Sequence, residues 1–189
     1  MILIRHGQSE FNVVYGKTRV DPGIRDPKLT DLGRRQARAA AETIHGSEYR
    51  RVVTSPYTRA IQTATIVAET LDLDITIDPH IGERAAFTCD IGTERSSLQE
   101  NWPQLRFDHI EENWWPAMEE SEAALDTRGR AFRTRLRENG DWRGTVVISH
   151  WGFIRALTGY RVGNCSILRF DPAADHPGGG TVVSETDVC

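Results

Sequence analysis

Short apolar runs alternate with helix-forming stretches along this chain, and that alternation limits the fold more than any other feature. Residues 2–4, 51–54, 74–77 and 145–149 read as strands, and two further runs lie late, at 166–170 and 181–185. Between them Thr30 is placed to cap a helix running through Ile44. Ser55 followed by Pro56 reads as a serine cap with proline at the first helical position. Ile61, Ala64, Ala68 and Leu71 then recur at helical spacing. A last helix is expected from about Ser121, with Leu125, Phe132 and Leu136 on one face. Glutamates lead it and Arg133, Arg135 and Arg137 close it, as the helix dipole prefers. Strands alternating with helices predict an α/β fold: one three-layer α/β/α domain around a mainly parallel sheet. With about 150 residues per domain as a guide, 189 residues are read as a single domain over 1–189.

Two stretches fall outside the alternation. Residues 171–180, ending His176-Pro177-Gly178-Gly179-Gly180, read as a loop between the two late strands. Residues 82–120 hold Trp102, Trp114 and Trp115 among acidic side chains. They read as a long excursion beside the active site, of the kind that forms lids or pocket walls. Phe87 and these tryptophans either stack on a ring of the substrate or pack in a core, and the core reading is favoured.

Composition removes several classes of protein. Hydrophobic residues make up 39% and charged residues 26%, which is globular rather than disordered. No apolar run is long enough for a membrane-spanning helix. The run Met1-Ile2-Leu3-Ile4 meets Arg5 at once, unlike a secretory leader. The net charge of −4 disfavours nucleic acid as a partner. Cys89, Cys165 and Cys189 form no CxxC pair, so neither a disulfide framework nor a cysteine zinc site is expected, and a reducing cytoplasm fits.

Chemistry collects at strand ends, where ligands bind in open α/β sheets. The first strand ends in Arg5-His6-Gly7, the second leads toward Arg59, and the fourth ends in His150-Trp151-Gly152. If these strands are parallel neighbours, two histidines and two arginines converge. Arg59 near a helix N-terminus opposes the macrodipole; it either snorkels into water or meets an anion there. Two arginines facing one crevice favour phosphate, which guanidinium binds bidentately. A metal is not expected. No acidic residue near either histidine offers a third ligand, and the arginines repel a cation. A neutral His6 beside cationic groups suits nucleophilic attack on phosphorus.

Four blocks carry a family resemblance. Residues 3–12, Leu-Ile-Arg-His-Gly-Gln-Ser-Glu-Phe-Asn, resemble the signature of the histidine phosphatase superfamily, the phosphoglycerate mutase-like proteins. Leu29-Thr30-Asp31-Leu32-Gly33-Arg34-Arg35-Gln36-Ala37, Ser55-Pro56-Tyr57-Thr58-Arg59 and Ser149-His150-Trp151-Gly152 resemble the blocks that follow, in the family's order. Gln8 and Ser149 depart from the commoner glutamate and glycine without touching the chemistry.

The resemblance implies a phosphoglycerate mutase-like fold and a phosphohistidine intermediate on His6. Arg5, Arg59 and His150 would hold the phosphoryl group, and Asn12 would contact it or orient the pocket. One branch of the family places its acid directly after the second histidine; Trp151 stands there instead. Gly82-Glu83-Arg84 resembles the glutamate segment of the other branch, so Glu83 is the expected acid/base, with Glu94 as the nearest rival. The implied activity is hydrolysis of a small phosphorylated metabolite without cofactor or metal. A mutase, a non-catalytic phosphate-binding protein and a metallohydrolase are the alternatives.

Overall fold

In the computed structural model, which describes residues 1–46 and 48–185, the alternation becomes a single sheet. Among these residues six strands lie in the order β3-β2-β4-β1-β5-β6. They are β1 Ile2–Arg5, β2 Arg51–Thr54, β3 Asp74–Ile77, β4 Thr145–Ser149, β5 Ile167–Phe170 and β6 Gly180–Ser184. The pairs β1–β4, β4–β2 and β2–β3 are parallel, while β5 runs antiparallel to both β1 and β6. The loop read at 171–180 does join the last two strands, and Gly180 already belongs to β6. Cys189 lies outside the described residues, and Cys89 and Cys165 are buried free thiols.

The pleat separates two cores. Ile2 and Ile4 of β1 with Val146 and Ile148 of β4 face one side, where they meet Ala37, Ala41, Ala60, Ile61 and Val67. Those residues come from helices α2 (Asp31–Ile44) and α3 (Thr58–Leu71). Leu3 and Val147 face the other side, against Phe132, Phe153, Ile154 and Leu157. These belong to α5 (Glu122–Asn139) and α6 (Trp151–Thr158). Strand alternation thus builds the three layers directly.

Caps set the helix starts. Thr30 and Ser121 accept the N–H groups of Gly33 and Ala124, each at 3.1 Å, as their positions predict. The expected cap at Ser55 is corrected by the structure. Helix α3 begins at Thr58, and its N-cap Tyr57 has no capping side chain. The cap comes from a distant loop: Asp26 accepts the N–H of Thr58 at 3.0 Å and its hydroxyl at 2.7 Å. The arginines closing α5 do more than answer a dipole. Buried Arg133 donates to the carbonyls of Leu157, Pro172, Ala174 and Gly178 and so staples the 171–180 loop to the domain.

Three α-helices stand where no element was expected, α1 (Glu10–Thr18), α4 (Arg95–Asn101) and α6. Among the described residues no helix is long and apolar enough to cross a membrane.

Candidate active site

Because β1 and β2 both flank β4 in parallel, their carboxyl ends meet at one edge of the sheet. Arg5, His6, Asn12, Arg59 and Glu83 line one cavity of about 450 Å³ there, with His150 buried behind it and its ring centroid 5.1 Å from that of His6. The arrangement expected from the strand ends is therefore present. Glu94 is elsewhere: it is exposed, pairs with Arg25 at 2.7 Å, and is not among the residues lining this cavity.

His6 continues the ladder one residue past its strand, donating its N–H to Ser149 O at 2.9 Å. Its ring is fixed by Nδ1, which lies 2.8 Å from Gly7 O. A carbonyl only accepts, so Nδ1 carries the proton and Nε2 keeps its lone pair. Burial, then the charges of Arg59 and Arg5, push the imidazole well below its ordinary pKa and hold it neutral. Gly7 N–H donates to Thr63 Oγ1 of α3 at 3.1 Å. A Cβ on Gly7 would clash with the backbone of Gly33, so this loop lies directly on the first turn of α2.

His150 is fully buried. Its Nε2 lies 2.6 Å from Ser55 Oγ, while its Nδ1 has no hydrogen-bond partner among the described residues. With the serine donating to Nε2, Nδ1 is a free N–H donor, a group that is expensive to bury unless a ligand meets it. This engagement is also why Ser55 does not cap α3.

Arg5 donates to Val162 O at 2.8 Å. Arg59 is only 3% exposed, so it does not snorkel into water. Beyond the anion-site reading, the structure gives it a protein partner that sequence reasoning missed. Its guanidinium meets Asp90 Oδ1 at 3.1 Å and Cys89 O at 2.8 Å. Asp90 Oδ2 in turn accepts the N–H groups of Ala86 and Phe87. Asp90 therefore ties the 86–90 stretch to Arg59. Cys89 also lines the cavity, but burial raises its pKa and keeps it a thiol.

Glu83 accepts two backbone N–H groups on the same oxygen, Arg84 N at 2.9 Å and Gly152 N at 2.8 Å, both to Oε1. Oε2 is left to carry a proton. Burial, then the charge of Asp90, raises its pKa. A Cβ at position 152 would run into Oε1, which is the local reason for glycine there. Asn12 spends Oδ1 on Ser9 N, Ser9 Oγ and Asn164 Nδ2 within α1's capping box, leaving its Nδ2 amide for a ligand.

Trp102, Trp114 and Trp115 pack rather than line the cavity. Trp114 stacks edge-on against Tyr57 and Trp115 and donates to Thr93 O at 2.8 Å. Trp102 and Trp115 pack against the α2–α3 core. Phe87 does line the cavity. Among the described residues no three His, Cys, Asp or Glu side chains are grouped to hold a metal ion.

A buried neutral histidine, two arginines and a carboxyl of raised pKa, gathered at the carboxyl ends of parallel strands, define an α/β enzyme that handles phosphate. Comparison with known proteins places it further. The family model of the histidine phosphatase superfamily (branch 1) matches residues 1–176, and the chain belongs to that superfamily. The glucosyl-3-phosphoglycerate phosphatase of Mycobacterium tuberculosis is 29% identical over 167 residues, covering 84% of this chain and 73% of the relative. A 2,3-bisphosphoglycerate-dependent phosphoglycerate mutase of a Methylobacterium species is 31% identical over 171 residues, covering 83% and 77%. The solved structure of a protein described as mycobacterial hydrolase 1 superposes with a TM-score of 0.65 at 23% identity, covering 100% and 99%. The superfamily acts on small phosphorylated metabolites through a phosphohistidine, and this chain is a phosphomonoester hydrolase of that kind.

Proposed function

We propose that His6 is the nucleophile, that Arg5, Arg59, His150 and Asn12 hold the phosphoryl group, and that Glu83 is the acid/base. The observation that supports this reading best is the His6 ring: Nδ1 is pinned to Gly7 O while Nε2 stands free in a cavity shared with both arginines. In the first step Nε2 attacks phosphorus, the P–O ester bond breaks, and the proton on Glu83 Oε2 goes to the leaving oxygen. In the second step Glu83 takes a proton from water, the water oxygen attacks, and the N–P bond breaks to release phosphate. The guanidinium groups and the His150 Nδ1–H offset charge on the equatorial oxygens throughout. Residues 1–189 act as one unit, and buried free cysteines suit a reducing cytoplasm.

The test is release of inorganic phosphate from small phosphomonoesters before and after dialysis against a chelator. The rate is expected to be unchanged, because arginines already supply the positive charge. A large loss restored by a divalent ion would overturn the metal-free route. Phosphoryl passed to a second substrate molecule in place of water would make the enzyme a mutase.

Asp90 gives a second prediction. Arg59 and Asp90 are buried together, at 3% and 2% side-chain exposure. Asp90→Asn leaves the arginine alone and is expected to cost about 3 kcal/mol of stability, read as a lower urea midpoint. The same variant removes the negative charge that helps raise the Glu83 pKa. Glu83 then loses its proton at lower pH, so the alkaline limb of the kcat/KM profile moves to lower pH. An unmoved limb would mean that Asp90 has no electrostatic hold on the acid.

A further inference from the structure

A phosphoryl group fills only part of a cavity of about 450 Å³, and the remaining wall combines the rings of Phe11, Tyr15, Phe87 and Trp151 with Arg19, Arg84, Arg155, Arg161 and Glu122. Phe11 and Tyr15 of α1 stack on each other, centroids 5.1 Å apart and 15° from parallel. Phe87 tilts against both, at 5.6 and 5.0 Å. Leu125 and Trp151 line the same cavity from α5 and α6.

Phe11 is the buried residue of α1, whereas Tyr15, Phe87 and Trp151 are only partly buried. None of Phe11, Tyr15, Phe87 or Trp151 belongs to either hydrophobic core. Phe87 is nevertheless held in place, its N–H donating to Asp90 Oδ2 at 3.0 Å. Partly buried rings gathered around a cavity and packed on one another offer a surface that a ligand can cover. Rings also offer more than area, since stacked or edge-on partners gain beyond simple burial.

We propose that the alcohol part of the substrate carries a flat aromatic ring, seated against Phe11, Tyr15 and Phe87 while the phosphoryl group meets His6. This inference rests on the phosphomonoester reading of the site and narrows it to a class of leaving group. Small aliphatic phosphates would reach the phosphoryl pocket but leave the aromatic wall bare.

Binding of non-hydrolysable probes tests the idea without turnover. Dissociation constants of 3-phenylpropylphosphonate, 3-cyclohexylpropylphosphonate and propylphosphonate are measured by calorimetry on the unaltered enzyme, with inorganic phosphate as reference. The phenyl compound is expected to bind about 30-fold more tightly than the propyl compound through buried apolar area. It is expected to beat the cyclohexyl compound by about threefold or more, the part that flat rings add. In Tyr15→Leu and Phe87→Leu the phenyl-to-cyclohexyl ratio should fall to about one, whatever the absolute affinities. Phosphate binding with equal affinity for phenyl and cyclohexyl compounds would overturn the ring. Failure to bind inorganic phosphate at all would overturn the phosphomonoester reading instead.

Discussion

His6→Ala is expected to lower kcat by on the order of 10⁴-fold or more, since no other group can form the covalent intermediate. The geometry of the ring leaves it a single reactive atom, because Nδ1 is held by Gly7 O and only Nε2 is free to bond phosphorus. Cys89, the other nucleophilic side chain in the cavity, stays protonated. The unaltered enzyme, quenched during turnover, should carry acid-labile phosphate on His6, and the variant should carry none. Inorganic phosphate should still bind the variant, because Arg5, Arg59 and His150 remain. Wild-type turnover by His6→Ala would remove the phosphohistidine route altogether.

Replacing Glu83 by glutamine should cost on the order of 10²-fold or more on an alkyl phosphate, the usual worth of a positioned acid. An activated aryl phosphate, whose leaving group departs without a proton, should slow far less. The pKa shifts explain why the pair works. An unperturbed imidazole, near 6.5, titrates above an unperturbed glutamate, near 4.3. Neutral histidine beside protonated glutamate would then be a rare combination. Burial among arginines pushes His6 down, and burial beside Asp90 pushes Glu83 up, both in the direction that the proposed roles require. Activity should therefore fall at acid pH as His6 gains a proton and at alkaline pH as Glu83 loses one. The alkaline limb should vanish in Glu83→Gln. Equal slowing of both substrates would reduce Glu83 to a positioning role.

The strand ends were readable in the sequence because His6 lies next to a glycine and His150 one residue from one, each at the close of an apolar run. His6 and His150 are brought together by the pairing of β1 with β4, and Arg59 joins them from the first turn of α3, which follows β2. Asp90 was not readable. It meets Arg59 across 31 residues of chain, within a stretch that has no periodic pattern. The start of α3 was misplaced for a similar reason: Ser55 is drawn to His150, and Asp26 caps the helix from 32 residues upstream. Helix α1 had a usable signal, Ser9 three residues before Asn12. Asparagine replaces the usual glutamate or glutamine of a capping box there. Helix α6 opens on Trp151 and Gly152 with no capping side chain, and glycine lowers helix propensity.

The excursion after β3 divides labour in a way that bears on how such an enzyme can change. The groups facing the phosphoryl oxygens sit on the sheet and its adjoining helices. Glu83, proposed as the proton donor, the arginine's partner Asp90 and the ring of Phe87 all arrive on the single stretch from Gly82 to Asp90. On the proposed roles, leaving-group protonation and one of the recognising rings are thus inherited together, while Phe11 and Tyr15 come from α1. A graft of this stretch from a relative with another substrate would bring its own acid along. Piecemeal remodelling for a new substrate would disturb the acid with every change. Diversification by exchange of whole loops is the route this layout favours.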